Sequence, residues 1–419
     1  MFSTFINAWK IQEQRKKILF TGLLIFLFRL GVHIPVPLID ATAIRSIFSN
    51  SNFFGFLNVM SGGALKQMSF FALAVGPYIT SSIVVQLLTI VIPKWEEMSK
   101  EGEEGRKKLQ EYTRYIAVAL SMIQGYATVN YIGSQGAVKN PGFFSYFVIS
   151  LTFTAGTMLL MWMAETIGEK GVGNGVSILI FAGIISQLPV AMIEMYQDAV
   201  AGTIPWWGVI VLGIIALFSV AGIVFITQGT RKIPVQYAKR VVGRKVYGGQ
   251  NTHIPFKINQ AGVLPVIFAS SLLMFPETIL QFVNASWATK LNEVMGTGTW
   301  LHTILYIILI FFFSFFYTMM QFNPIDTAKN MQKNGGFIPG IRPGKPTSDY
   351  ISRIMSHLTV VGAAFLCILV LLPMVLSAVT TMETGFGGTT ILIAISVALE
   401  TIKSIEAQVM QRHYKGFLD

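Results

Sequence analysis

The chain has 419 residues, of which 53% are hydrophobic and only 12% charged, with a mean hydropathy of +0.60. Soluble domains carry about 25% charged residues, so this composition excludes a string of water-surfaced domains and calls for an all-α, polytopic membrane bundle. The net charge of +11 leaves nucleic acid, an anionic membrane face or an acidic partner open until the positions of the charges are known.

In chain order, Lys10, Arg15, Lys16 and Lys17 precede an apolar run over 18–34 that carries Arg29 and ends at His33-Ile34-Pro35-Val36-Pro37. No small-residue cleavage site closes that run, so it predicts a first membrane anchor rather than a removed signal. Residues 53–66 are apolar but too short to cross, which predicts a re-entrant or surface half-helix. Irregular backbone at membrane depth survives only when buried in protein or lining a watery cavity. Further apolar runs follow at 69–92, 115–133, 144–164, 176–196, 207–227, 262–283, 300–322, 355–377 and 387–402. A membrane helix needs roughly 20 apolar residues, and the pattern predicts ten spans in two halves of five. The single cysteine, Cys367, lies inside the ninth run. That excludes a disulfide within the chain or a cysteine-based zinc site and predicts a packed thiol.

Lysine and arginine set the orientation. With the N-terminus inside, 26 of the 31 lie on the inner side, 4 outside (Arg45, Lys66, Lys139, Lys290), and Arg29 within a span. The bias predicts both termini in the cytoplasm and accounts for most of the net charge. It does not account for two long inner loops, 229–261 and 323–354. The first holds Lys239-Arg240, Arg244-Lys245 and the turn signal Gly248-Gly249, which predicts a hairpin-like projection. The second holds Gly335-Gly336-Phe337-Ile338-Pro339-Gly340-Ile341-Arg342-Pro343-Gly344, which cannot be helical throughout. Long punctuated loops of this kind usually carry function.

Corresponding spans 2 and 7 share a pattern. Pro77-Tyr78-Ile79-Thr80-Ser81-Ser82 and Pro265-Val266-Ile267-Phe268-Ala269-Ser270 both read Pro-x-Ile-x-x-Ser. Both spans are interrupted by Gly and Pro, which reads either as kinks repaired by neighbouring helices or as an interface between inverted repeats. No span carries a central Asp, a His cluster or paired carboxylates, which disfavours proton-coupled transport. The Gly-rich run 168–175 lacks a preceding strand and a Lys-Ser/Thr pair, so it predicts a tight turn. No Walker motif occurs elsewhere. No catalytic residue, metal site or cofactor is predicted, and the chain is read as a non-enzyme.

Several stretches together resemble the bacterial SecY family, with the look of a Gram-positive-type member. They are Gly76-Pro77-Tyr78-Ile79-Thr80-Ser81-Ser82-Ile83 with Gln86-Leu87-Leu88, Gly173-Asn174-Gly175, Ala261-Gly262-Val263-Leu264-Pro265-Val266-Ile267-Phe268-Ala269-Ser270-Ser271, Phe337 to Gly344, and Gly387-Gly388-Thr389. The resemblance implies two five-helix halves, 1–206 and 207–405, around an hourglass pore, with a cytoplasmic tail over 406–419. It implies an apolar pore ring at Ile79, Ile83, Val176, Ile180, Ile267 and Ile393. A plug is implied at 53–66, with Phe53, Gly55, Leu57, Met60, Gly62 and Gly63. A side exit between spans 2 and 3 and spans 7 and 8 is implied, with Ser81, Ser82, Gln124 and Ser270 as polar contacts. Docking of the SecA ATPase or the ribosome is implied at Lys239, Arg240, Arg244, Lys245 and Arg342. It further implies SecE-like and SecG-like small subunits and passage of unfolded preproteins with signal sequences. The expected role is a passive protein-conducting channel in the bacterial cytoplasmic membrane, releasing membrane segments into lipid. The alternatives are a small-solute transporter and a membrane scaffold without a pore.

Overall fold

The computed structural model describes residues 8–40, 44, 58–202, 205–237, 240–242, 245–247, 251–282, 287, 291, 294–296, 299–380 and 388–415. The chain is mostly helical. One group of helices comprises α1 (Gln12–Val32), α2 (Gly76–Val91), α3 (Pro93–Lys100), α4 (Glu103–Ser134), α5 (Phe143–Lys170) and α6 (Gly175–Val200). The rest are α7 (Trp206–Gln228), α8 (Leu264–Phe282), α9 (Trp300–Gln321), α10 (Pro324–Lys333), α11 (Lys345–Thr380) and α12 (Gly388–Lys415). Within the first group α4 packs on α2 and α5, while α1 and α6 pack on α5. Within the second, α9 packs on α8 and α11, while α12 packs on α7 and α11. The groups meet where α8 crosses α2 and α4, and where α6 meets α12 and α7.

Five stretches among the described residues are long and apolar enough to cross a membrane: Phe143–Lys170, Gly175–Val200, Trp206–Gln228, Trp300–Lys333 and Lys345–Leu372. A sixth is the pair α2 and α3, bent by 104°. The bend follows from sequence. Pro93 disfavours helical backbone at the residue before it, and Ile92 is extended at φ −99°, ψ 109°. The polar α3 then leaves the axis of α2. Helix α1 falls outside this set because Arg15, Lys16, Lys17 and Arg29 all lie within its 21 residues.

The structure corrects the predicted start of the second span. Residues 69–75 are not helical, and α2 begins only at Gly76. Ala74 at φ +50° and Met68 at φ +43° hold left-handed backbone that no helix accepts. Pro77, which has no N–H to give, sits in the first turn. The irregular stretch is nonetheless buried. Ala64, Leu65, Met68, Phe71 and Ala72 are each less than 5% exposed, which is how non-helical backbone persists inside an apolar bundle.

The loop strands β1 (Thr230–Tyr237), β2 (Arg240–Val242), β3 (Lys245–Tyr247), β4 (Asn251–Lys257) and β5 (Gly336–Phe337) complete the fold. Strand β1 pairs antiparallel with β4 and with β5, so the two long loops share one small sheet. That sheet buries Ile233, Val235 and Phe256 against Met331, Ile338, Ile351 and Met355. Strands β2 and β3 form the predicted hairpin, with Val241 opposite Val246 and Val242 opposite Lys245. The turn signal Gly248-Gly249 lies outside the described residues.

Candidate functional site

Two helices enter the centre of the bundle in the same way. Pro77 and Pro265 each stand in a first turn, and two residues later come Ile79 and Ile267. These prolines start helices and do not kink them, so the kink reading does not hold at either position. A third helix is placed by the Gly173-Asn174-Gly175 turn. Gly173 takes φ +73°, and the Asn174 side chain accepts from the amides of Val176 and Ser177 at 3.1 and 3.3 Å. Such a cap stabilises a helix by about 1 kcal/mol. A side chain at Gly175 would collide with the Ala164 carbonyl, so only glycine lets α6 cross α5 this closely. The turn fixes Val176 and, one turn on, Ile180.

All six predicted ring residues lie in or against the main core, and four of them share a cavity. Ile79, Ile83, Ile180, Ile267 and Ile393 are at most 3% exposed and belong to one apolar cluster, with half-buried Val176 packed against it. Ile79, Val176, Ile180 and Ile267 line one side of a cavity of about 420 Å³.

The other walls of the cavity are polar. Arg114 donates to Glu165 through Nε at 3.0 Å and Nη2 at 2.7 Å, and Gln110 donates to the same carboxylate at 3.0 Å. This is the bidentate geometry that favours Arg over Lys. The hydrogen bond to Glu165 pushes the Arg114 guanidinium above its ordinary pKa. The pair ties α4 to α5 beside the cavity.

The predicted seam contacts divide. The hydroxyls of Ser81 and Ser270 donate to carbonyls of their own helices, Tyr78 and Ile267, both at 2.8 Å. Back-bonding of this kind is common for serine in apolar helices. Gln124 is half-buried on α4, which packs against α2 and α8. Ser82 accepts from the Gln86 amide at 3.2 Å. A bond that crosses from one helix group to the other was not predicted. Tyr317 on α9 donates to Gln86 Oε1 on α2 at 2.9 Å. Both residues line the cavity. The signal was present in the sequence: Gln86 is a polar side chain one helical turn from Ser82 in an otherwise apolar run.

Of the predicted plug, Phe53, Gly55 and Leu57 lie outside the described residues. Met60, Gly62 and Gly63 sit against α6, where a Cβ at Gly183 would lie 2.8 Å from the Met60 carbonyl. Of the predicted docking residues, Lys239 and Arg244 lie outside the described residues, and Arg240 and Lys245 belong to β2 and β3. Arg342 is exposed between the left-handed Gly340 (φ +82°) and Gly344 (φ +99°). It forms no ion pair among the described residues, and its carbonyl accepts from Thr347 at 2.8 Å. Among the described residues no cluster of His, Cys, Asp or Glu could hold a metal ion.

The SecY family model matches residues 69–402. The protein translocase subunit SecY of Corynebacterium glutamicum is 44% identical over 443 aligned positions, covering 99% of this chain and 100% of the relative. A solved protein conducting channel is similar in fold, with a TM-score of 0.67 at 19% identity, covering 93% of this chain and 91% of that one. Sec61 in the canine ribosome-channel complex from the endoplasmic reticulum is similar with a TM-score of 0.63 at 18% identity, covering 93% and 91%. The chain belongs to the SecY family.

Proposed function

We infer that the chain is the protein-conducting channel subunit of a membrane translocase, passing unfolded polypeptides across the bacterial cytoplasmic membrane. The observation that supports this reading is the gathering of four of the six aliphatic side chains, Ile79, Val176, Ile180 and Ile267 from α2, α6 and α8, on one cavity whose other lining residues are mostly polar. An aliphatic constriction makes few directional demands on a passing chain and resists ions. Ile79, Ile83, Val176, Ile180, Ile267 and Ile393 form the pore ring. Residues 53–66 are the plug that closes it. The meeting of α2 and α4 with α8 and α9 is the side exit through which membrane segments reach lipid.

In this reading ten helices span the membrane in two halves, 1–206 and 207–405, with both termini and the tail 406–419 in the cytoplasm. Helix α8 and the bent α2 are then spans held by protein neighbours as much as by lipid. The channel is passive and non-catalytic. Its drive comes from a SecA motor or a translating ribosome seated on the β-hairpin and on Arg342, with SecE-like and SecG-like subunits completing the membrane complex. The relatives lend no support to the small-solute transporter.

The test is motor-dependent translocation. The chain is purified with SecE-like and SecG-like partners and reconstituted in vesicles, and SecA, ATP and a secretory precursor are added. Protease protection of the precursor that requires both this chain and ATP is the expected result. Its absence, with the complex intact and SecA bound, would sink the channel reading.

A further inference from the structure

Arg29 has no role in the channel as described so far, yet it stands in the apolar helix α1, three residues from its end. A guanidinium there is costly unless it finds an acceptor. Its Nη1 donates to the carbonyl of Gly62 at 2.7 Å. Gly62 belongs to a self-closed turn over 58–66. Asn58 accepts at its carbonyl from the Gly63 amide (2.8 Å) and at its side chain from the Lys66 amide (2.8 Å). Ser61 donates to the Asn58 carbonyl at 3.0 Å and accepts from the Leu65 amide at 3.2 Å. The turn needs left-handed backbone at Gly62 (φ +69°) and Gly63 (φ +90°).

This turn is also held in the bundle by apolar packing, which has no direction, through Val59 and Ala64 in the main core and Leu65 in a second one. It rests on α6 at Gly183, a contact between bare backbones. Lys66 and Glu194 stand 3.8 Å apart and are both more than half exposed, and exposed pairs of that kind contribute little. The charge-assisted bond from Arg29 is thus the strong directional contact.

We propose that Arg29 is the tether of the 58–66 turn, a positioning residue whose bond to the Gly62 carbonyl sets how often the turn leaves α6. The proposal rests on the channel reading only for its consequence, since a detached turn would leave the aliphatic ring as the remaining seal. The contact itself stands without that reading.

The measurement is thiol labelling at Ser61, which is 1% exposed and so reacts only when the turn lifts. Ser61→Cys is placed in a Cys367→Ala background, with the full chain in vesicles and a membrane-impermeant maleimide as probe. Arg29→Met keeps the length and apolar character that α1 tolerates. Loss of a hydrogen bond to a charged group raises the detached population about tenfold, and labelling should accelerate by that factor. Arg29→Lys, which keeps a donor on a less well-matched head, should fall between. An unchanged rate in Arg29→Met would overturn the tether, whatever the vesicles conduct. Faster labelling with no rise in resting ion leak would uphold the tether and count against the pore reading instead.

Discussion

The bond from Tyr317 to Gln86 joins the two helix groups at the proposed side exit, so its removal should shift the channel toward opening. Tyr317→Phe deletes the hydroxyl and keeps the ring, which packs edge-on against Phe268 at 5.2 Å. Gln86→Leu deletes the acceptor at similar volume. A hydrogen bond between neutral side chains contributes about 0.5–1.5 kcal/mol net, and between membrane helices the average is nearer 0.6 kcal/mol. Each change should therefore favour the open seam by about three- to fivefold, at 1.4 kcal/mol per factor of ten. The assay is SecA-dependent export into vesicles of a precursor whose signal has a shortened apolar core. Its rate is limited by opening, so it should rise by that factor in either single variant. The double variant should gain no more than either single one, because both remove the same bond. If the two gains multiply, or neither appears while ordinary precursors are exported normally, the pair is not a latch and the reasoning fails.

Further outcomes follow from other contacts. Replacing Ile267 with Asn puts an amide on a floor position that is 2% exposed, and resting ion leak through reconstituted vesicles should rise several-fold; unchanged leak would remove Ile267 from the seal. Gly175→Val forces a side chain into the Ala164 carbonyl and should destabilise the α5–α6 crossing by roughly 2 kcal/mol or more, read as a lowered thermal midpoint. Arg342→Glu alters an exposed side chain that forms no ion pair among the described residues. It should leave the thermal midpoint within a degree or two yet reduce SecA-dependent export at least tenfold, and normal export would exclude this loop from docking.

Hydropathy made the bundle legible because it measures apolar content, and that is what a membrane selects. It could not see where helices begin. The run over 69–92 is continuously apolar, but the left-handed Met68 and Ala74 delay α2 to Gly76. It also could not see helices continuing into water, as α4 does for a dozen residues before its predicted span. Ile79 and Ile267 were named through the family resemblance, and the recurring Pro-x-Ile-x-x-Ser explains why both, at equal spacing from a helix start, reach the same cavity. The seam was read less well. Ser81 and Ser270 satisfy themselves locally, while Gln86 and Tyr317, 231 residues apart, meet only through tertiary packing. No periodicity encodes such a pair.

The small sheet that joins the two long loops has a mechanical consequence. Its core includes Ile351 and Met355, which belong to α11, so the platform is an extension of that helix and not a flexible appendage. One turn further along α11, the Thr359 hydroxyl donates to that of Thr318 on α9 at 3.3 Å, beside Tyr317. The three-stranded sheet and α11 thus connect the loops to the Thr359–Thr318 contact through continuous packing. A partner docked on the loops as proposed would apply its load, through packed side chains rather than through solvent, one residue away from the Tyr317–Gln86 bond.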